Sequence, residues 1–166
     1  MRERRQAMTD RRRAREFEAF VAGAAGRLLH AATLLTGEPA DAQPHAERLL
    51  TDALARTYAD WDRLRDEDPY DRARQEIATR YARGAWRHPR TGEGVLGRLS
   101  PQERIVLVLR LYEGVAEEQT AALLGLPAER VRAICARAVV AMRQPAPVRR
   151  PAPHWPLSLL SRLAAR

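Results

Sequence analysis

Apolar residues recur along this chain every three to four positions, the spacing of one helix face, and strand-type alternation persists nowhere. From Phe17 the pattern runs through Phe20, Val21, Ala24, Leu28, Ala31 and Leu35 and stops at Thr36-Gly37, where Gly37 suits a helix C-terminal cap. A second stripe follows Pro44: Ala46, Leu49, Leu50, Ala53, Leu54, Thr57, Tyr58, Trp61 and Leu64. Asp68-Pro69 reads as an N-cap and first-turn proline for a third helix with Tyr70, Ala73, Ile77 and Tyr81 inside. His88 to Gly97 carries Pro89, Gly92, Gly94 and Gly97 and reads as a linker. Ser100-Pro101-Gln102-Glu103 has the form of a capping box, and its helix would bury Ile105, Val106, Leu109 and Tyr112 before Gly114 breaks it. The predicted fold is all-α. Two small helical domains are expected, at 16–87 and 98–143, joined by the 88–97 linker. A disordered arm is expected at 1–15, and a Pro-rich tail with a short amphipathic segment at 144–166.

The stretch from Glu117 to Met142 has the spacing of a helix-turn-helix. Ala121 is small where two helices must cross closely, and Gly125, four residues on, supplies a permissive backbone for the turn. Val131 and Ile134 would point back onto Leu124 and Leu126. The second helix then carries Arg130, Arg132, Arg137 and Arg143, and a major groove admits a helix of this kind.

Charge sharpens that picture. The net charge is +8 and the pI about 11.0, which favours a polyanionic partner. All 29 basic residues are arginine, as codon bias in a GC-rich genome would produce. The distribution is uneven. Residues 1–15 hold seven Arg against Glu3 and Asp10, whereas residues 16–69 hold eleven acids against five Arg. The acidic segment is expected to face protein, and the 70–94 and 127–143 segments nucleic acid. A basic arm at the N-terminus would add non-specific DNA affinity that falls with salt. The single cysteine, Cys135, excludes an internal disulfide and is most simply a core residue beside Val131, Ala138 and Met142. Asp66-Glu67-Asp68 reads as capping and solvated charge, and His30, His45, His88 and His154 are scattered, so no metal or cofactor is expected. No nucleophile, acid–base or phosphate-loop constellation stands out, which argues against an enzyme. The absence of a signal peptide or an eighteen-residue apolar run predicts a cytoplasmic chain without a membrane span.

Order and content together resemble the sigma-70 family, specifically the small extracytoplasmic-function RNA polymerase sigma factors and, within them, the actinobacterial SigE-like subgroup. Phe17 to Phe20 and Ala32 to Gly37 are similar to the opening helix of sigma region 2. Ala46 to Tyr58 resembles the polymerase-binding helix of that region, and Leu99 to Arg104 with Leu111 to Gly114 resembles the start of region 4. The helix-turn-helix completes the likeness, which covers about residues 16–143.

The resemblance implies a dissociable initiation subunit, acting as a monomer on core RNA polymerase and on promoter DNA, with an anti-sigma protein as a further candidate partner. By position it assigns polymerase binding to Glu47, Arg48, Leu49, Thr51 and Asp52. Reading and melting of a −10 element falls to Arg72, Arg74, Thr79, Arg80, Arg83 and Trp86, with two roles open for Trp86, base stacking or packing against the linker. Reading of a −35 element falls to Glu129, Arg130, Arg132, Ala133, Ala136 and Arg137. Of these, Glu129 has two open roles, accepting from a cytosine amino group or capping its own helix, and Arg132 is the candidate to fork onto guanine. The chain departs from the family pattern at Arg48 and Thr51, where an acid and a glutamine are usual. Two alternatives stay open on that account: a helix-turn-helix regulator working without polymerase, and a sigma-like decoy that binds polymerase or an anti-sigma protein. The amphipathic end from Trp155 to Leu163 suggests a docking segment.

Overall fold

The computed structural model describes residues 2–39, 41–64, 66–84 and 95–144. The 88–94 part of the expected linker, Trp86 and the tail after Gln144 lie outside them. The described residues are helical and contain no strand. Helix α1 spans Arg2–Thr36, α2 Pro44–Ala59, α3 Pro69–Gly84, α4 Pro101–Leu107, α5 Glu117–Leu124 and α6 Ala128–Arg143. Short 3-10 turns lie at Trp61–Arg63 and Val95–Arg98, and α4 runs on into a π-helical turn at Val108–Tyr112.

The N-terminal arm is the first correction. Helix α1 extends back to Arg2. Arginine is a good helix former, and once the stripe from Phe17 has nucleated the helix each further residue is cheap to add. Gln6 to Asp10 and Arg12 to Glu16 are spaced four apart and bond at 3.1 and 2.7 Å. Arg13 lies over the Tyr58 ring, 4.4 Å from its centroid, donates to the Tyr58 carbonyl and bonds Asp62 at 3.2 Å. Phe17 and Phe20 close on Tyr58 and Trp61 beneath it. A second correction concerns apolar length. By length and composition α1 could cross a membrane, with a hydropathy of 1.3 over eighteen residues. Its Ala24, Leu28, Ala31, Ala32 and Leu35 are buried in the protein's own core, which accounts for that apolarity.

Capping matches local chemistry. Ser100 and Glu103 form the reciprocal box expected of them. Asp68 accepts from the Tyr70 amide at 2.8 Å. The start of α2 is capped from outside: Glu38 accepts the amides of His45 and Ala46 at 3.1 and 2.8 Å, and its carboxylate lies 2.6 Å from His45 Nδ1. Burial opposes charge on Glu38, but the hydrogen bonds from His45 and Ala46 win and hold its pKa below the usual carboxylate value.

The core crosses the expected domain boundary. Leu28, Leu35, Ala53, Ala73, Ile77 and Tyr81 form one cluster with Ile105, Val108, Leu109 and Val115. Complete burial of residues such as Leu28, Leu35 and Ile77 contributes about 1.5–3 kcal/mol each. Separate small clusters join α4 to α6: Val106 with Ala121, Val131 and Ile134, and Leu99 and Leu107 with Ala138.

Candidate promoter and polymerase surfaces

The helix-turn-helix is built from α5, the turn at Gly125 and α6. Gly125 has φ +65°, a left-handed conformation that costs a side-chain-bearing residue roughly 1–2 kcal/mol. Leu126 N–H returns to the Ala121 carbonyl at 3.0 Å and closes the turn. Val131 and Ile134 are fully buried against Val106 and Ala121. Because one face of α6 is committed to that core, the 3.6-residue period turns Glu129, Arg130, Arg132, Ala133, Ala136 and Arg137 outward together, and all six are exposed.

They are not equivalent. Arg132 donates twice to Glu117 at the start of α5, from Nη2 at 2.7 Å and Nε at 3.2 Å. That hydrogen bond, and then the carboxylate's charge, raises the guanidinium pKa further and draws the side chain toward the start of α5. Arg130 and Arg137 have no ion pair to a described residue. Glu129 makes no hydrogen bond there either, and Pro127 in the N-cap position receives no side-chain cap, so the capping role is not the one taken in this structure.

The third helix presents its arginines differently. Arg72 bonds Asp60 at 3.0 Å, and that hydrogen bond leads the causes that lower the Asp60 pKa. Arg80 lies 2.8 Å from Glu76 and 3.5 Å from Asp52 of α2. Arg74 is the clearest departure from the sequence-based expectation. It is turned inward, its side chain only 13% exposed, with Asp71 at 3.0 Å and Glu113 at 3.9 Å. Thr79 is half-buried, Arg83 is exposed, and Tyr81 is a core residue at 1% exposure.

On α2, Glu47, Arg48, Thr51 and Asp52 are exposed, whereas Leu49 packs partly onto the core. Thr51 Oγ1 is spent on the Glu47 carbonyl at 2.8 Å. An open groove between α2 and α3 brings Arg48, Leu49 and Asp52 beside Arg80 and Arg83, so residues expected to meet polymerase and residues expected to meet DNA share one rim.

Residues 95–144 match the family described as Sigma-70, region 4. The chain is 30% identical over 154 residues to RNA polymerase sigma-E factor of Streptomyces coelicolor, covering 78% of this chain and 85% of that protein. The protein of the same name from Streptomyces avermitilis is also 30% identical, with 84% of its length covered. This chain belongs to the sigma-70 family of RNA polymerase sigma factors. It is a transcription initiation factor. No solved structure matches it. Within this sigma factor, the matched region begins at the 3-10 turn before α4 and ends just past α6, so it contains the whole helix-turn-helix and its supporting helix.

Two features of the surface escaped sequence reasoning. Glu117 as the partner of Arg132 is fifteen residues away across the turn. Glu113 as the partner of Arg74 is farther still. The first was legible in principle, since an acid opening the first helix of such a pair faces the second.

Proposed function

We propose that this sigma factor docks on core RNA polymerase through α2 and directs it to promoters whose −35 element is read by α6 and whose −10 element is read by α3. The observation that carries the reading is the arginine-bearing outer face of α6, held rigidly by Val131, Ile134 and the Gly125 turn in a region matched to sigma region 4. Arg130 and Arg137 would neutralise phosphates, and Arg132, buttressed by Glu117, would read a base edge. A buttressed arginine has lost rotamer freedom before it meets DNA, so less entropy is lost on binding. Glu47, Arg48 and Asp52 supply the exposed polar rim for polymerase. The chain would act in the cytoplasm as a monomer on polymerase, with an anti-sigma protein as an additional partner.

Gel filtration of the purified chain with core polymerase tests the docking, and co-elution is the expected result. Failure to co-elute with the chain folded would sink the initiation reading and leave a DNA binder that works alone. In the assembled complex, Arg132→Ala should relax promoter choice by about tenfold at one base position. Weaker binding with unchanged preference would reduce Arg132 to a phosphate anchor.

A further inference from the structure

The bond between Glu117 and Arg132 uses one edge of the guanidinium and spares the other. Nη2 lies 2.7 Å from one carboxylate oxygen and Nε 3.2 Å from the second. The carboxylate therefore sits side-on, taking the Nε hydrogen and the Nη2 hydrogen that runs parallel to it. At the outer edge Nη1 and Nη2 each keep a hydrogen pointing the same way, and no described residue bonds there. Burial is split in the same sense. The Glu117 side chain is 14% exposed and the Arg132 side chain 72%, so the acid lies against the protein and the guanidinium stands out from it. An ion pair with so exposed an arginine contributes little to stability, which makes tethering of α5 to α6 a weak account of it.

That open edge matches one base. Guanine presents two acceptors side by side in the major groove, O6 and N7, and takes both hydrogens of the fork. Adenine sets an amino donor beside its N7, cytosine offers an amino donor, and thymine a single oxygen, so each leaves part of the fork unmet. A phosphate also offers two oxygens, but it is an anion. Glu117 already balances the charge of Arg132, and the charges of Glu118 and Glu129 act on the same guanidinium. A phosphate brought to that edge meets these carboxylates, and like charges set together are penalised. A neutral base edge escapes the penalty, because it needs donors in the right direction rather than net charge.

We propose that Glu117 is a positioning residue for promoter discrimination: by occupying the side-on edge of Arg132 it commits the outer edge to guanine and withholds this arginine from the phosphate backbone. The proposal rests on the reading, given under Proposed function, that α6 meets the −35 element. It divides the outward arginines by task. Arg130 and Arg137, which pair with no acid among the described residues, supply phosphate contacts, and Arg132 with Glu117 supplies the base contact.

Two measurements on the full chain test this, with thermal melts to establish that each variant is folded. The first is selection from a duplex library randomised over the −35 element, by the chain assembled on core polymerase. The unsubstituted chain should select guanine at one position, and Glu117→Ala should reduce that preference about tenfold. Glu118→Ala removes an exposed acid that bonds no arginine among the described residues, and should leave the preference unchanged. With Arg132→Ala already in place, adding Glu117→Ala should alter base preference no further, because Glu117 acts through Arg132. The second is non-specific duplex binding by the free chain across a salt series. Glu117→Ala frees Arg132 for phosphate, so the salt slope should steepen by about one, and adding Arg132→Ala should abolish the increment. Guanine preference kept in Glu117→Ala, or lost equally in Glu118→Ala, would overturn Glu117 as the positioning residue. A salt slope untouched by Glu117→Ala would overturn the withholding from phosphate. If the chain does not bind polymerase, or Arg132→Ala leaves base preference unaltered, the reading under Proposed function fails, while the free-chain slopes still decide whether Glu117 restrains Arg132.

Discussion

Helices α3 and α6 are each sixteen residues long, each rich in arginine and each expected from sequence to face DNA, yet they hold their cations in opposite ways. On α6, Arg130 and Arg137 are exposed and pair with no acid among the described residues, and Arg132 bonds one acid that leaves it 72% exposed. On α3, Arg72, Arg74 and Arg80 each bond one or two carboxylates of the protein itself. The cause is the position of each helix. Helix α6 packs on one side only, mainly against α4 and α5, and among the described residues Glu117 is the acid that bonds an arginine of its outer face. Helix α3 is flanked by α1, α2, α4 and α5, and Asp52 of α2 and Glu113, just past the π-helical turn, reach it. Composition counts both sets of arginines equally. For Arg130 and Arg137 of α6 no bonded acid among the described residues has to be given up, whereas Arg72, Arg74 and Arg80 of α3 must be released from one first.

The sharpest way to break that comparison is to remove what binds the two halves together. Arg104→Ala takes away a buried guanidinium and leaves the Leu35 and Leu96 carbonyls unsatisfied. A loss of about 3 kcal/mol in urea unfolding is expected. A loss under 1 kcal/mol would mean that the apolar cluster alone joins the halves.

Arg137→Ala and Arg74→Ala separate free from committed cations. Arg137→Ala should weaken non-specific DNA binding and reduce the salt slope by about one, with stability unchanged. Arg74→Ala should destabilise the fold by about 1 kcal/mol and leave the salt slope of the free chain intact. Filter binding across a salt series, with thermal melts of both variants, reads the difference. Equal slopes for the two variants would abolish the distinction drawn here.

The smallest effect concerns Glu38, which caps the start of α2. Its pKa is lowered in the folded state, so its contribution is complete above the unfolded carboxylate value of about 4.3 and is lost as pH falls through the lower folded value. Glu38→Gln should therefore cost a few tenths of a kcal/mol at pH 7 and flatten that part of the acid limb. Denaturant midpoints between pH 3 and 7 check the sign. A variant whose deficit grows toward low pH would contradict it.

Much of this molecule was legible before any coordinates. The stripe from Phe20 to Leu35, the caps at Asp68 and Ser100 to Glu103, the turn at Gly125 and the outward set on α6 all follow from interactions within about four residues. Helical periodicity and turn chemistry are local, so they survive in a bare sequence. The reach of α1 back to Arg2 was missed because its support is partly distant: Arg13 is anchored by Tyr58 and Asp62. The separation into two independent domains at 88–97 was a composition argument, and the shared core of Leu35, Tyr81, Ile105 and Leu109 lies outside what composition records.

By itself, then, the sequence determined the helical class, the helix-turn-helix, the family and the face of α6 that lies exposed. Tertiary structure alone decided which charges are already spent. Tyr70 meets Glu113 across 43 residues and Arg104 meets Leu35 across 69. A long charged side chain takes whichever opposite charge or carbonyl the fold brings within about 4 Å, and that choice is fixed by packing between helices rather than by the period within one.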